Sequence, residues 1–183
     1  MSRVNIRKIA FSGVVAALYA GLTIAIMPLS YGPVQLRISE VLCILPFFFP
    51  FSIWGLFAGC IVANIMSPYP LDIIIGPLAS LIAAVSTMYV GKMSNRERIS
   101  IKALACFPPV IFNALFIGAM IAYIMVSEGA ADTFMPAFIS SGLWVGLGQL
   151  IVLYTLGLPL MIYLPKTKLI SKLTTIYDRG GET

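Results

Sequence analysis

Seven polar side chains stand within, or at the mouths of, stretches otherwise built from Val, Leu, Ile, Ala and Phe: Gln35, Arg37, Glu40, Asn64, Asp72, Asn113 and Gln149. In hydrocarbon each costs a few kcal/mol unless it is paired or faces water, so each marks either a partnership or a site. A carboxylate accepts two parallel hydrogen bonds from a guanine-like N–H/NH2 edge, and amide side chains serve donors and acceptors on the remaining edges. The set therefore suits a planar nitrogen heterocycle, with or without a cationic amine. Hexoses, fatty acids and metal ions suit it less, the last because hard ligands would have to converge on one point. Tyr31, Phe47, Tyr69 and Trp144 are candidate stacking walls, although an interfacial belt or an ordinary core would use the same residues. The plainer alternative is mutual satisfaction: Arg37 with Glu40 at i, i+3, and Asn113 with Gln149 across two helices.

Catalysis has less to work with. The chain has no histidine, which removes every Ser-His or Cys-His device, and its three cysteines, Cys43, Cys60 and Cys106, lack metal-site or disulfide spacing. Glu40 and Asp72 could in principle act as the acid/base pair of an intramembrane hydrolase, but no nucleophile accompanies them. The expectation is a protein that is not an enzyme and holds no metal or cofactor. It also has no G-x-x-x-x-G-K-[ST] loop and no relay of intramembrane carboxylates, so inward transport of a solute would need an external motor.

The elements that must carry these residues are membrane helices. With 60% hydrophobic and 10% charged residues over 183 positions, the chain has too little polar surface for a soluble globule. Apolar runs fall near 9–28, 38–50, 51–67, 72–91, 103–125 and 138–164, which predicts an all-α bundle of six transmembrane helices in a single domain, 1–183. The second run is short and carries Pro46 and Pro50, so re-entrant insertion competes with a full span. Eleven of the twelve Lys and Arg residues lie before the first run, in the 92–102 connection or in the tail at 165–183. Placing all three clusters in the cytoplasm requires both termini inside. The net charge of +5 then reads as topology and contact with lipid headgroups rather than nucleic-acid binding. The tail is expected to start as an amphipathic interfacial helix, and no cleavable signal peptide is apparent. In this topology the polar set shares the outer half of the bundle, and no polar path continues inward.

Small residues mark close approaches. The first run carries Ala10, Gly13, Ala17 and Ala20, flanked by Ala16 and Gly21, a face long enough to dock a different subunit. Gly55, Gly59 and Ala63 in the third run, and Gly142 and Gly146 in the sixth, read as packing within the bundle.

These features together resemble the substrate-binding (S) components of energy-coupling factor (ECF) transporters. More narrowly, Tyr31-Gly32-Pro33-Val34-Gln35-Leu36-Arg37-Ile38-Ser39-Glu40, Leu45-Pro46-Phe47-Phe48, the Gly55–Asn64 segment and Asp72-Ile73-Ile74-Ile75-Gly76-Pro77-Leu78-Ala79-Ser80 are similar to the QueT (queuosine precursor) family. The resemblance implies a multi-pass subunit of a bacterial plasma membrane that captures queuine or another 7-deazaguanine and assembles with a transmembrane coupling subunit and two ATPases. It would deliver its load by toppling in the membrane, with the small-residue face of the first helix against the coupling subunit. Glu40 and Asp72 would read the base edge or an amine, supported by Asn64, Asn113 and Gln149, with Gln35 and Arg37 in a closing loop. Alternatives are an S component for thiamin or a flavin, or a stand-alone carrier.

Overall fold

A computed structural model describes residues 6–32 and 35–167. The expected tail helix lies almost wholly outside the described residues, as do Pro33 and Val34 of the segments discussed above. Among the described residues the fold is all-helical: α1 (Ile6–Ala25), α2 (Met27–Ser30), a 3₁₀ helix (Ile38–Phe47), α3 (Ser52–Asn64), α4 (Asp72–Gly91), α5 (Ile99–Ala105), α6 (Phe107–Ser127), α7 (Phe134–Val152), a π-helical turn (Leu153–Gly157), α8 (Leu158–Tyr163) and a final 3₁₀ turn (Leu164–Lys166). Prolines punctuate the long runs where the sequence places them. Pro28 restarts the chain after Ile26, and Pro108 falls in the first turn of α6, just past Cys106.

Four segments are long and apolar enough to cross a bilayer: Ile6–Ala25, Asp72–Gly91, Ile99–Ser127 and Phe134–Lys166. Ile38–Phe47 and Ser52–Asn64 are apolar but shorter. Direction alternates along the chain. A Cβ on Gly55 would meet Ser12 and one on Gly59 would meet Ala16, so α1 and α3 advance in step and run parallel. Between them the 3₁₀ helix runs the other way: Phe11 meets the rings of Phe49 and Phe51, while Tyr19 reaches Glu40. The same helix starts beside Asp72, at the head of α4, and ends with the Phe47 backbone against Gly91, at its foot. It lies alongside α4, in the same direction. Ten residues at the 3₁₀ rise of roughly 2 Å cover about 20 Å, against about 15 Å for an α-helix. The winding extends a short run.

Glycine makes the close packing possible. A Cβ on Gly55 would sit 2.5 Å from the Ser12 carbonyl oxygen, and one on Gly59 2.7 Å from that of Ala16. Gly118 likewise backs onto Gly142. The glycines of α3 and α7 thus pack within the bundle, as their spacing suggested. The first core joins α1, the 3₁₀ helix, α3 and α4 around Tyr19, Cys43, Leu56 and Cys60. A second, around Ile44, Cys106, Leu153 and Met161, ties the 3₁₀ helix to α5, α6, the π turn and α8. A third holds Ile117, Met120 and Val145 together.

Candidate functional site

Asp72 opens α4, where the free N–H groups and the helix dipole favour a carboxylate. Its Oδ2 accepts from Arg37 Nη2 at 2.7 Å and from Ser67 Oγ at 3.1 Å. Arg37 also donates through Nε to the Ser30 carbonyl (3.2 Å), and its guanidinium lies 4.9 Å from the centre of the Tyr31 ring. Burial opposes the charge on Arg37, but Asp72, aided by Tyr19, Cys60 and Glu40, raises its pKa overall. Tyr31 is anchored by its hydroxyl to the Ala63 carbonyl at 2.6 Å. Asn64, the last residue of α3, donates through Nδ2 to the Asp72 carbonyl at 2.8 Å. A Cβ on Gly76 would stand 2.2 Å from that Nδ2 and 2.7 Å from Asp72 Oδ1, so glycine one turn below Asp72 is what leaves both side chains their room.

A second group is centred on Glu40. Tyr19 of α1 donates to its Oε1 at 2.5 Å, and Cys43 Sγ lies 3.1 Å from its Oε2. The Cys43 contact follows from the winding, because i and i+3 eclipse one another in a 3₁₀ helix. Cys60 joins the two groups: its sulfur lies 3.8 Å from the Tyr19 hydroxyl, 3.6 Å from Asn64 Nδ2 and 3.5 Å from Ser80 Oγ. Thr23, Ser39 and Ser30 continue the network outward along α1, with 2.6 Å between the Thr23 and Ser39 hydroxyls.

Asn113 and Gln149 come from the other half of the chain. Thr87 donates to the Ala105 carbonyl, and Ile75 packs on the cluster containing Ile117, so α4 and α6 are antiparallel. That register sets Asn113 opposite the Ala79–Ser80 turn, on the level of Cys60 and Glu40. Across α6 and α7, Gly118 meets Gly142 and Ala114 meets Gly146, which brings Gln149 to within about a turn of Asn113.

All of Gln35, Arg37, Glu40, Asn64, Asp72, Asn113 and Gln149 are buried, none more than 4% exposed. Among the described residues, six buried side-chain polar atoms have no hydrogen-bond partner, and five belong to this set: Gln35 Nε2, Asn64 Oδ1, Asp72 Oδ1, Asn113 Nδ2 and Gln149 Oε1. The sixth is Ser52 Oγ. Buried polar groups are ordinarily satisfied, so orphans gathered from α3, α4, α6, α7 and the loop before the 3₁₀ helix need a common explanation. Gln35 adds backbone strain, with φ of 47° in a non-glycine residue.

Several expectations need correction. Arg37 pairs with Asp72 rather than Glu40, because its own backbone is extended (φ −94°, ψ 105°) and lies outside the helix that i, i+3 spacing presumes. Asn113 Nδ2 and Gln149 Oε1 do not bond to each other. Trp144, half exposed, lines an open apolar groove with Pro136, Ile139, Leu143 and Leu147, away from the buried cluster. Phe47 packs at the far end of the 3₁₀ helix, against Gly91, and Tyr69 packs on the Ile117 cluster. On α1, Ala10, Gly13, Ala17 and Gly21 are exposed, whereas Ala20 is buried in the core and Ala16 backs onto Gly59. Tyr19, Cys60, Ser67 and Gly76 belong to the cluster without having been singled out for it. The signal for Gly76 was present, since Asp72 and Gly76 are one helical turn apart.

Long apolar helices enclosing a shared level of amides and carboxylates define a multi-pass membrane protein with a buried polar site. The family to which the chain belongs agrees: the model of the QueT transporter family matches residues 9–166. Over 71 residues the chain is 39% identical to the "Queuosine precursor transporter QueT" of Lactococcus lactis subsp. cremoris (strain MG1363), a stretch covering 38% of this chain and 42% of that protein. The match therefore spans less than half of the relative's length. No solved structure matches the chain.

Proposed function

We propose that this chain is the substrate-capturing subunit of an ATP-driven ECF importer in a bacterial plasma membrane, and that it binds a queuosine precursor, queuine or a related 7-deazaguanine. The observation that carries the reading is the set of orphaned polar atoms of Gln35, Asn64, Asp72, Asn113 and Gln149, which offers both donors and acceptors to one polar, planar solute. The name of the Lactococcus relative, a queuosine precursor transporter, supports the choice of solute. Six passes with both termini in the cytoplasm are supported by the alternating directions of the helices and by the basic residues at 92–102. On this reading the 3₁₀ helix and α3 cross along with the four longer segments, and residues 1–183 form one transmembrane unit. The exposed strip Ala10, Gly13, Ala17 and Gly21 is the surface offered to the coupling subunit and its two ATPases. A protein built this way captures solute and leaves energy conversion to its partners, and it performs no covalent chemistry.

Calorimetric titration of the purified protein with queuine, thiamin and riboflavin tests the reading. Queuine is expected to bind at micromolar concentration or below, and the vitamins are not. Binding of a vitamin alone would transfer the chain to another solute, and uptake into liposomes containing this chain alone would remove the need for a motor.

A further inference from the structure

Apart from Arg37, the cations of the described residues gather at one end of the bundle. Arg7 and Lys8 open α1, whose Phe11 meets Phe49 and Phe51, and Lys92 follows Gly91, which packs on Phe47. Arg96, Arg98 and Lys102 come next, and Lys166 ends the last 3₁₀ turn. The start of α5 differs from the rest of this rim because one of its cations is buried: Lys102 is 5% exposed. Lysine is seldom buried unless it is paired. An ammonium has three donors, yet among the described residues Lys102 Nζ makes one side-chain hydrogen bond, to Glu97 Oε2 at 3.2 Å. The Glu97 side chain is 71% exposed and lies 3.9 Å from Arg96 as well, so its charge is shared and screened by solvent, and the pair contributes little. Arg98 is exposed and, among the described residues, in no ion pair. Its carbonyl accepts from the Lys102 N–H at 3.1 Å, so the two cations stand a single turn apart. Three cations thus meet one acid, and a second anion would relieve their repulsion.

The surroundings select the kind of anion. Ile99, beside Arg98, is 62% exposed, and Phe107 continues an exposed apolar surface into α6. At the foot of α4, Tyr89 is equally exposed and carries the Lys92 ammonium 5.2 Å from its ring centre, the amphipathic pairing of a membrane–water interface. A ligand here meets cations at one level and apolar surface directly beyond them. A free phosphate would use only the first, whereas a lipid uses both. We propose that the start of α5 is a binding site for the phosphodiester headgroup of an anionic phospholipid, held by Arg98 and Lys102, with its acyl chains against Ile99 and Phe107. The buried ammonium makes this one place on the rim rather than a diffuse attraction. The inference rests on the chain being a membrane protein and is independent of the solute it carries.

The test titrates the purified full-length protein, delipidated in a neutral detergent, with phosphatidylglycerol and with phosphatidylcholine of the same acyl chains. Thermal unfolding reads the affinity, and native mass spectrometry counts the lipids retained. Phosphatidylglycerol should bind at least about tenfold more tightly, as two cations near an anionic headgroup require. Arg98→Gln should weaken it about fivefold and Lys102→Met at least as much, while Lys8→Gln, at the same rim on α1, should leave it unchanged. Equal affinities for the two lipids overturn the inference. Equal losses in Arg98→Gln and Lys8→Gln overturn the site, because they show attraction spread over the whole rim. Displacement of the lipid by glycerol 3-phosphate at millimolar concentration overturns the assignment to a lipid in favour of a free phosphate compound. Should Lys102→Met fail to fold, the exposed Arg98 still decides the outcome through its comparison with Lys8. Queuine titration is read separately, and its failure would leave this inference standing.

Discussion

Gly76→Ala tests whether the arrangement around Asp72 is as tight as its geometry states. The added methyl would lie 2.2 Å from Asn64 Nδ2 and 2.7 Å from Asp72 Oδ1, so one or both side chains must retreat by roughly 1 Å to reach ordinary contact. Neither has a free direction: Asn64 and Asp72 are fully buried, Asn64 holds the Asp72 carbonyl at 2.8 Å, and Asp72 is held by Arg37 at 2.7 Å. Breaking the hydrogen bond from Asn64 Nδ2 to the Asp72 carbonyl leaves a buried donor and acceptor unsatisfied, at about 1–3 kcal/mol, and overpacking adds about 1–3 kcal/mol. Alanine's better helix propensity returns up to about 1 kcal/mol. A net destabilisation of about 1–6 kcal/mol is expected, visible as a lower unfolding temperature in detergent, together with at least roughly tenfold weaker solute binding. Removing the Asn64 side chain should relieve most of the clash, so the Asn64→Ala/Gly76→Ala double variant should be little worse than Asn64→Ala alone. Wild-type melting and binding for Gly76→Ala, or costs that simply add in the double variant, would refute the claimed contact.

Arg37→Ala strands the buried Asp72 charge and should destabilise by about 3–5 kcal/mol in thermal unfolding, while Arg37→Met combined with Asp72→Leu should recover much of that loss without restoring binding. On α1, Gly13 and Gly21 have open space where a side chain would go. Ala17→Leu or Gly21→Leu should therefore leave melting and solute titration unchanged but prevent co-purification with the coupling subunit; retained assembly would exclude this strip. Gly59→Leu is its counterpart on the buried side. Its Cβ alone would meet the Ala16 carbonyl at 2.7 Å and the Tyr19 Cβ at 2.9 Å, so melting should drop and Glu40 should lose its Tyr19 donor.

Where boundaries are set by charge, proline or a polar residue, the helices were legible. The run at 72–91 begins at Asp72 and ends before Lys92, and α4 has the same limits. Hydropathy counts residues and takes the α-helical rise for granted, so it could not show how far along α4 the short run Ile38–Phe47 reaches. That depends on 3₁₀ winding, which is selected by packing against α1, α3 and α4 rather than by composition. The π turn at Leu153–Gly157 was hidden for a related reason. It is an extra residue accommodated in a continuous apolar run, and Ile44 packing against Gly157 is a tertiary contact with no local trace.

The membership of the polar site was easier to read than its pairing. Polar residues in hydrocarbon announce themselves by cost, so Gln35, Arg37, Glu40, Asn64, Asp72, Asn113 and Gln149 stood out, and all prove to be buried. Partner choice is non-local. The expected Arg37–Glu40 pair assumes that both residues share a helix, but Arg37 sits just before the first turn with extended backbone and reaches a residue 35 positions away. Glu40 meanwhile meets Cys43 through the eclipsed i, i+3 geometry of its own helix and Tyr19 across the contact with α1. Trp144 shows the opposite failure. As an aromatic in the sixth run it is a candidate stacking wall, yet it stands five residues before Gln149, an offset that turns it to another face of α7, into an apolar groove. Spacing along one helix decides which face a residue occupies, whereas the Tyr19 hydroxyl that Glu40 accepts from is supplied only when α1 and the 3₁₀ helix are brought together.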